Sequence, residues 1–405
     1  MTRPSVLFVT QQCPWPKNSG GNIRTYFIAR HLARLAAVTL VTTRPESGAA
    51  EAQAALEEFC TAVHMVDDVK TSGLARVGAL ARSVAHGRPA FIEHNLNPNL
   101  ETCIAALRQD TPFAWFHLNQ VDTYHYFRGE QTTPLVLDTH NLHWAYYERR
   151  AERESNPAMS ALYGRDGRLL RDYELQAFRH ASRVLVCSDD ERRSIDAIAT
   201  GLPVTVIPNG VDCDEHRPSS HDAFDNPPEL IFVGDMGYAP NHDGVMEFIA
   251  EVMPTVRDRV PGAHLTVVGR APAEDLLAAA AGRDDVEVTG FVDSVAPYVD
   301  KAKIFVVPLR YGAGTRLKVP QAFASGLPTV STRIGAEGID YTDGEDIVIA
   351  DDNAMIAERI CELLEDRERF DAMRAACRAT AMAHYDWGVI GDALIEACQP
   401  LADGR

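Results

Sequence analysis

A glycine-rich loop with two cations stands out in RYGAGTRLKVPQAFASGLPTV, residues 310–330. Glycine amides can approach phosphate oxygens without a Cβ in the way. Arg316 offers a planar fork for phosphate, and Lys318 offers a compact point charge. Pro320 fits the first turn of a helix, so we expect extended backbone up to Lys318. Residues two apart on extended backbone point the same way, which predicts that both cations converge on one diphosphate.

The alternative for this loop is an exposed segment whose two cations are only solvated. Gln321 follows on the next turn of the expected helix. Its amide could hydrogen-bond a ribose hydroxyl without adding negative charge beside the phosphates. The alternative here is a glutamine on the helix surface.

A second polar cluster lies in LDTHNLHWAYYERR, residues 137–150. Asp138 and His140 come at the carboxyl end of an apolar strand, which is where parallel α/β sheets bind ligands. We expect His140 to hydrogen-bond a ligand bound there, with Asp138 and Asn141 beside it. The alternative is a histidine with a purely structural role.

Short apolar runs alternate with helical stretches along the chain, which predicts parallel sheets covered on both faces. A polar segment at residues 208–229 interrupts the pattern, and we interpret it as a linker. The first series of strands is predicted at residues 5–10, 38–43, 62–66, 113–118, 135–138, 183–187 and 204–207. The second series is predicted at residues 230–234, 264–269, 286–290, 304–308, 329–332 and 347–350.

Two such series predict an α/β fold with two doubly wound, Rossmann-like parallel-sheet domains that face a cleft. We expect the domains at residues 1–210 and 211–383, and a final helix at 384–405 that crosses back to the first domain. Glycine loops follow strands in both series, such as SGGN at 19–22 and IGAEG at 334–338. This placement implies one ligand shared by the two domains.

The net charge of −18 falls entirely in the second half of the chain. Residues 1–210 carry 22 basic and 22 acidic side chains, whereas residues 211–405 carry 17 and 35. A nucleic-acid binder shows a basic stripe, so nucleic acid is not an expected partner. Membrane docking is disfavoured, and no apolar run approaches the roughly 18 residues of a membrane span. Scattered cysteines and an N-terminus without a signal peptide indicate a reducing cytoplasm.

Several motifs together resemble the GT-B glycosyltransferases of family 4, a large retaining group. They are VIPNGVD (206–212), FVGDMGYAPNHDG (232–244), LTVVG (265–269), the long run from VTGFVDS to LPTVST (288–332) and IGAEGI (334–339). In the first half, PKNSGGNIRTYFIARHLAR resembles the family's N-terminal glycine loop and first helix. VLVCSDDERRSI resembles the last strand of the family's first domain and the helix after it. The resemblance covers most of the chain.

The resemblance implies a role for each matching residue. Gly20 and Gly21 would lie close to the donor diphosphate and the reacting sugar. Arg316 and Lys318 would hold the diphosphate during catalysis. His140 would hydrogen-bond the donor sugar or position the acceptor, with Asp138 and Asn141 as acceptor contacts. The remaining expected donor contacts are Gly234, Gly314, Thr315, Gln321 and Glu337.

The sequence also departs from the family pattern. The family usually carries two glutamates eight positions apart, and here Ala313 and Gln321 stand at those places. The family's Arg and Lys after the VG strand are missing too, with Asp235 and Asn241 in that neighbourhood. We therefore expect Arg316 and Lys318 to make a larger share of the contacts with phosphate.

The resemblance implies retaining transfer of a sugar from a UDP- or GDP-linked donor, without a metal or another cofactor. A neutral natural product or a glycan would be the acceptor. Aromatic side chains of the first half are expected at the acceptor: Trp115, Tyr124, Tyr126, Phe127, Trp144, Tyr146 and Tyr147. A non-catalytic homologue and a nucleotide-sugar 2-epimerase stay as alternatives, and the oligomeric state is open.

Overall fold

The computed structural model describes residues 3–69, 73–219, 223–312 and 317–404. The chain forms two compact units. Unit 1 comprises Met1–Pro208 together with Gly391–Arg405, and unit 2 comprises Asn209–Ile390. Each unit is a parallel sheet with helices, so the predicted fold class of two Rossmann-like domains is confirmed.

Unit 1 is built on a seven-stranded parallel sheet with the order β3-β2-β1-β4-β5-β6-β7. This order reverses direction beside β1, as in doubly wound folds. The strands are β1 (Ser5–Thr10), β2 (Ala37–Thr43), β3 (Ala62–Val66), β4 (Trp115–Asn119), β5 (Leu135–Asp138), β6 (Arg183–Val186) and β7 (Val204–Val206). All seven lie within one or two residues of the predicted ranges, because buried parallel strands read as continuous apolar runs.

The helices that follow these strands cover the sheet. They are α1 (Gly20–Leu35), α2 (Ala49–Glu57), α3 (Gly73–His86), α4 (Ala90–Asn95), α5 (Pro98–Asp110), α6 (His143–Arg153), α7 (Pro157–His180) and α8 (Asp189–Asp196). A 3-10 helix spans Val121–Phe127. Side chains fix several helix starts: Ser19 accepts from the amide of Asn22 at the start of α1, and Asn156 caps α7 in the same way.

Unit 2 has a six-stranded parallel sheet with the order β10-β9-β8-β11-β12-β13. Its strands are β8 (Glu229–Val233), β9 (His264–Val268), β10 (Val286–Gly290), β11 (Ile304–Val307), β12 (Thr329–Ser331) and β13 (Val348–Ile349). Its helices are α9 (Ala239–Glu247), α10 (Met253–Arg259), α11 (Glu274–Ala280), α12 (Ala296–Val299), α13 (Lys318–Ala324), α14 (Asn353–Glu365) and α15 (Arg367–Thr380). The helix α16 (Trp387–Ala402) ends the chain, and from Gly391 onward its residues belong to unit 1.

The interpretation of residues 208–229 as a linker is wrong for the first part of that segment. Val211 is 2% exposed and Cys213 is 4% exposed, and both pack into the apolar core of unit 2. Val211 also forms a β-bridge with Asp386. Gly210 lies so close to the Trp387 ring that an added Cβ would come within 2.6 Å of it. This contact fixes the segment on unit 2.

Candidate functional site

Three polar residues share the carboxyl edge of the central strands in unit 1. The strand register pairs Thr10 with Asn119 and Asn119 with Asp138. Side chains in register on neighbouring strands point to the same face of a sheet, so these three form one polar row. The row lies where α/β sheets bind their ligands.

Asp138 lies inside this row and not at a surface that an acceptor could reach. Its side chain is fully buried, and its Oδ1 accepts from Arg24 at 2.6 Å. Arg24 also donates to the carbonyl oxygens of Ile207 and Pro208. The expectation that Asp138 contacts the acceptor is therefore corrected: its carboxylate neutralises a buried arginine that ties α1 to the ends of β5 and β7.

Electrostatics keep this pair ionised. Burial raises the pKa of Asp138, but the charge of Arg24 and its hydrogen bond lower it by more, so the net pKa lies below the ordinary value. For Arg24, burial opposes the charge and the carboxylate restores it, which leaves the guanidinium pKa raised. The pair is thus a fixed element of structure beneath the site.

His140 is held by a hydrogen-bond network that selects its tautomer. Asn119 Nδ2 donates to the hydroxyls of Thr10 and Thr25, each at 3.1 Å, so its Oδ1 accepts from His140 Nε2 at 3.0 Å. The proton therefore lies on Nε2, and the Nδ1 lone pair accepts from Gln120 Nε2 at 3.3 Å. Burial lowers the pKa of His140 to about 4, which keeps the ring neutral near pH 7.

The predicted glycines of the first half open α1 and lie beside His140. Gly20 and Gly21 are the first two residues of that helix. A Cβ placed on Gly21 would be 3.6 Å from His140 Nδ1, which is ordinary contact distance. The structure therefore brings the helix N-terminus, with its partial positive charge, next to a neutral imidazole. Asn141 is exposed beside them, and its predicted contact with the acceptor stays a prediction.

Backbone strain marks the same place. Gln120 has a φ of 71°, a region that side-chain-bearing residues rarely adopt. Its backbone N–H donates to the carbonyl oxygen of Asp138 at 2.7 Å, and this hydrogen bond holds the turn after β4. Strain of this kind concentrates where a side chain must be aimed at a ligand.

A pocket of about 720 Å³ opens at this edge of unit 1. That volume lies in the usual range for sites that bind small molecules. Side-chain amides outnumber charged groups in its wall; among the amides are Gln11, Asn18, Asn22, Asn95, Asn119 and Gln120. Trp15 and Phe91 add aromatic surface. Amides offer both donors and acceptors, so the wall suits a neutral, hydroxyl-rich ligand.

The aromatic residues expected at the acceptor are mostly elsewhere. Trp115 and Phe127 are completely buried, and Tyr124 is 2% exposed, all in the core of unit 1. The pocket instead uses Trp15 and Phe91, which the sequence reasoning did not identify. The signal that could have found this wall is the density of amides in QQCPWPKNSGGN and EHNLNPN, residues 11–22 and 93–99.

In unit 2, Lys318 lies at the carboxyl end of β8. Its Nζ donates to Asn241 Oδ1 at 2.9 Å and lies 4.1 Å from the centre of the Phe232 ring. Asn241 in turn donates to the carbonyl of Asp235 at 2.9 Å. A Cβ on Gly234 would be 3.0 Å from the same Nζ, so the ammonium lies against bare backbone. The lysine charge is therefore positioned beside a glycine turn.

The loop after β8 also contacts the loop after β9. Gly269 lies so close that an added Cβ would be 1.7 Å from the carbonyl oxygen of Gly234. Only glycine allows this approach of the two loops. Gln321 is half-buried on α13, and Glu337 is half-buried in a turn at residues 333–338.

Three predicted site residues, Gly314, Thr315 and Arg316, lie outside the described residues. Leu317 already has right-handed helical angles. We predicted that Arg316 and Lys318 converge because the backbone between them is extended. At Leu317, between the two cations, the backbone is not extended. Among the described residues, no group of three or more His, Cys, Asp or Glu is placed to hold a metal ion.

Comparison with known protein families gives one match in the first half of the chain and one in the second. Residues 18–215 match the model of Glycosyltransferase Family 4, and residues 227–366 match the model of Glycosyl transferases group 1. An uncharacterised 44.6 kDa protein in the cps region of Klebsiella pneumoniae is 23% identical over 371 residues, which is 88% of this chain and 89% of that protein. Phosphatidyl-myo-inositol mannosyltransferase of Mycobacterium leprae (strain TN) is 28% identical over 216 residues, 50% of this chain and 55% of the relative.

A solved structure extends the likeness to the fold. The HepE protein of Anabaena, in complex with UDP and glucose, superposes with a TM-score of 0.68 at 14% identity. The match covers 98% of this chain and 99% of HepE. Within the described residues, no helix is long and apolar enough to cross a bilayer. From the two family matches and the two Rossmann-like sheets, we conclude that the chain carries a domain of Glycosyltransferase Family 4 at residues 18–215 and a domain of Glycosyl transferases group 1 at residues 227–366, on a GT-B fold.

Proposed function

We propose that the protein transfers a hexose-type sugar from a nucleotide diphosphate sugar to a hydroxyl of a glycan or small-molecule acceptor, with retention of anomeric configuration. The observation that carries the proposal is the placement of Lys318. Its ammonium is held by Asn241 against the bare backbone of Gly234. A cation fixed beside a glycine turn, where a phosphate can approach without a Cβ in the way, is an arrangement suited to a diphosphate.

The proposed reaction needs charge stabilisation more than a protein nucleophile. The bond between the anomeric carbon and the phosphate oxygen breaks, and the diphosphate gains negative charge that Lys318 and loop amides stabilise. The acceptor hydroxyl forms its bond on the same face of the sugar, and its proton passes to the departing phosphate. His140 is neutral near pH 7 because burial lowers its pKa to about 4, and its Nδ1 would accept from a sugar hydroxyl in place of the Gln120 amide.

The relatives support the proposed donor, a nucleoside diphosphate sugar, and the proposed transferred group, a hexose. HepE was solved with UDP and glucose, and the Mycobacterium leprae relative is a mannosyltransferase. Both are consistent with a hexose on a nucleoside diphosphate. The uncharged amides of the unit 1 pocket support a hydroxyl-rich acceptor.

The experiment is a thermal-shift panel with UDP, GDP, dTDP, ADP and their hexose conjugates. We expect one nucleotide to stabilise the protein, and the Lys318→Ala variant to lose at least about tenfold in affinity for it, since charge-assisted bonds contribute roughly 1.5–3 kcal/mol. Lys301 is an exposed lysine of the same unit, so Lys301→Ala is the matched control. Turnover of the binding sugar conjugate is then followed as nucleotide release.

Three results would contradict the proposal. If no nucleotide stabilises the protein, or if Lys318→Ala binds like Lys301→Ala, the diphosphate site is wrong. If a nucleotide sugar binds but is never turned over with any acceptor, the chain is a binding homologue and not an enzyme. The anomeric coupling constant of the product, measured by NMR, tests retention.

A further inference from the structure

A buried carboxylate without a complete set of hydrogen bonds lines the unit 1 pocket. Asp122, in the 3-10 helix Val121–Phe127, is 5% exposed. Its Oδ2 accepts from Asn95 Nδ2 at 3.0 Å. Its Oδ1 is buried and lacks a hydrogen bond of good geometry, while the backbone amides of residues 122 and 123 approach the carboxylate and lower its pKa.

An unpaired carboxylate oxygen in a buried place is costly, and native proteins rarely keep one without a function. A donor that enters from the pocket would remove this cost. The ligand therefore needs an O–H or N–H group at this wall. The tether from Asn95 fixes the carboxylate plane, so Oδ1 is an oriented acceptor and not a mobile one.

Neighbouring groups decide which donor fits. His143 lies 4.5 Å from Phe91, measured between ring centres, and both line the pocket. The His143 ring is 3.4 Å from Glu174, whose carboxylate is completely buried and accepts from the amides of His143 and Trp144. Among the described residues, the pocket is lined by three carboxylates, Asp122, Glu46 and Asp68, against one arginine, Arg44.

The charge of that wall disfavours an anionic ligand. A phosphate or carboxylate placed against Asp122 would meet a like charge in a poorly solvated place, which is repulsive. A sugar hydroxyl donates to a carboxylate without bringing charge, and its ring can pack against Phe91. Burial raises the pKa of Asp122 by more than His143 and the hydrogen bonds to the carboxylate lower it, so the net pKa lies above the ordinary value.

We propose that Asp122 is a specificity-determining residue of the acceptor site: its Oδ1 accepts from a ring hydroxyl of a neutral sugar or cyclic polyol and excludes anionic acceptors. The inference rests on the proposed glycosyl transfer, because it names the acceptor class for that reaction. Asp122 binds substrate in this account and takes no part in bond breaking.

The test measures binding by saturation-transfer NMR and calorimetry on the full chain. The neutral probes are methyl α-glucopyranoside, methyl α-mannopyranoside and myo-inositol; the anionic probes are glucose 6-phosphate and glucuronate. We expect at least one neutral probe to bind, and Asp122→Asn to weaken it about tenfold or more. Asp172 is an exposed carboxylate on α7, and Asp172→Asn is expected to stay within twofold of wild type.

A second readout separates binding from folding. Removing the charge of a buried, underpaired carboxylate should leave the melting temperature unchanged or raise it, whereas a structural role predicts a lower one. If Asp122→Asn does not fold, Asn95→Ala keeps the carboxylate and removes its tether. That variant is expected to weaken the neutral probe by several-fold.

Three outcomes overturn the inference: no neutral probe binds, only anionic probes bind, or Asp122→Asn binds the neutral probes as wild type does. The nucleotide panel, run on the same samples, tells the two hypotheses apart. If nucleotide binding and turnover persist in these cases, the proposed transfer stands and the acceptor assignment is wrong. If nucleotide binding also fails, the proposed function is wrong at the donor site.

Discussion

At the scale of single residues, Arg24 and Asp138 allow a direct measurement of a buried ion pair. The side chains are 1% and 0% exposed, and 114 positions separate them in the sequence. Removing one partner of such a pair leaves an uncompensated buried charge. We expect Asp138→Asn to lower the free energy of unfolding by about 3–5 kcal/mol, measured by urea denaturation.

The same unit contains the control for that prediction. Arg34 and Asp392 form an ion pair at 2.8 Å with 53% and 69% of their side chains exposed. Exposed pairs contribute at most about 1 kcal/mol, so Asp392→Asn should cost no more than that. Equal losses for the two Asp→Asn variants would show that burial does not set the strength of the Arg24 pair.

At the scale of elements, the ends of β8 and β9 approach each other through glycine. We expect Gly269→Ala to displace the loop after β8, because the new Cβ would overlap the carbonyl oxygen of Gly234. That loop leads to Asn241, which holds Lys318. Affinity for the nucleotide should therefore fall about tenfold or more, and hydrogen exchange of residues 234–241 should accelerate.

Gly262 is the matched control for this substitution. It has a φ of 83° and no atom within 4 Å of an added Cβ. Gly262→Ala should cost only about 1 kcal/mol of backbone strain and leave nucleotide affinity unchanged. An unchanged exchange rate in the Gly269→Ala variant would refute the steric account.

The sequence predicted the elements better than the contacts between them. Strands such as β5 are recognisable because their residues are buried on both faces and therefore apolar. The partner of Asp138 was not predictable, because Arg24 reaches it only through the packing of α1 on the sheet. Trp115 and Phe127 were assigned to the acceptor because side-chain type does not distinguish a core aromatic residue from a ligand-binding one.

The amide-rich pocket shows the same limit. Gln11, Asn95 and Asn119 come from three separate segments, and their convergence depends on strand order. Lys318 was predicted as a cation at a strand end, and the structure adds its tether to Asn241. The lysine beside a glycine loop could thus be recognised in the sequence, whereas its hydrogen bond to Asn241 depends on the position of α9 after β8.

At the scale of the whole molecule, unit 1 is completed by the last residues of the chain. Residues Gly391–Arg405 belong to unit 1, although the whole of unit 2 precedes them in the sequence. Leu394 and Cys398 are completely buried. A Cβ on Gly391 would lie 2.1 Å from His31 Nδ1, so the backbone of α16 rests directly on α1.

We therefore expect a chain that ends at residue 390 to have an incomplete unit 1. Exposing the face that Leu394 and Cys398 cover should cost unit 1 about 3–5 kcal/mol, by analogy with large-to-small core substitutions. Hydrogen exchange measured by mass spectrometry should show faster exchange in α1 and in the strands of unit 1, while β8–β13 keep their protection. A chain that ends at residue 402 lacks only the last three residues and is the matched control. If both truncated chains exchange at the same rate in α1, the final helix does not stabilise unit 1.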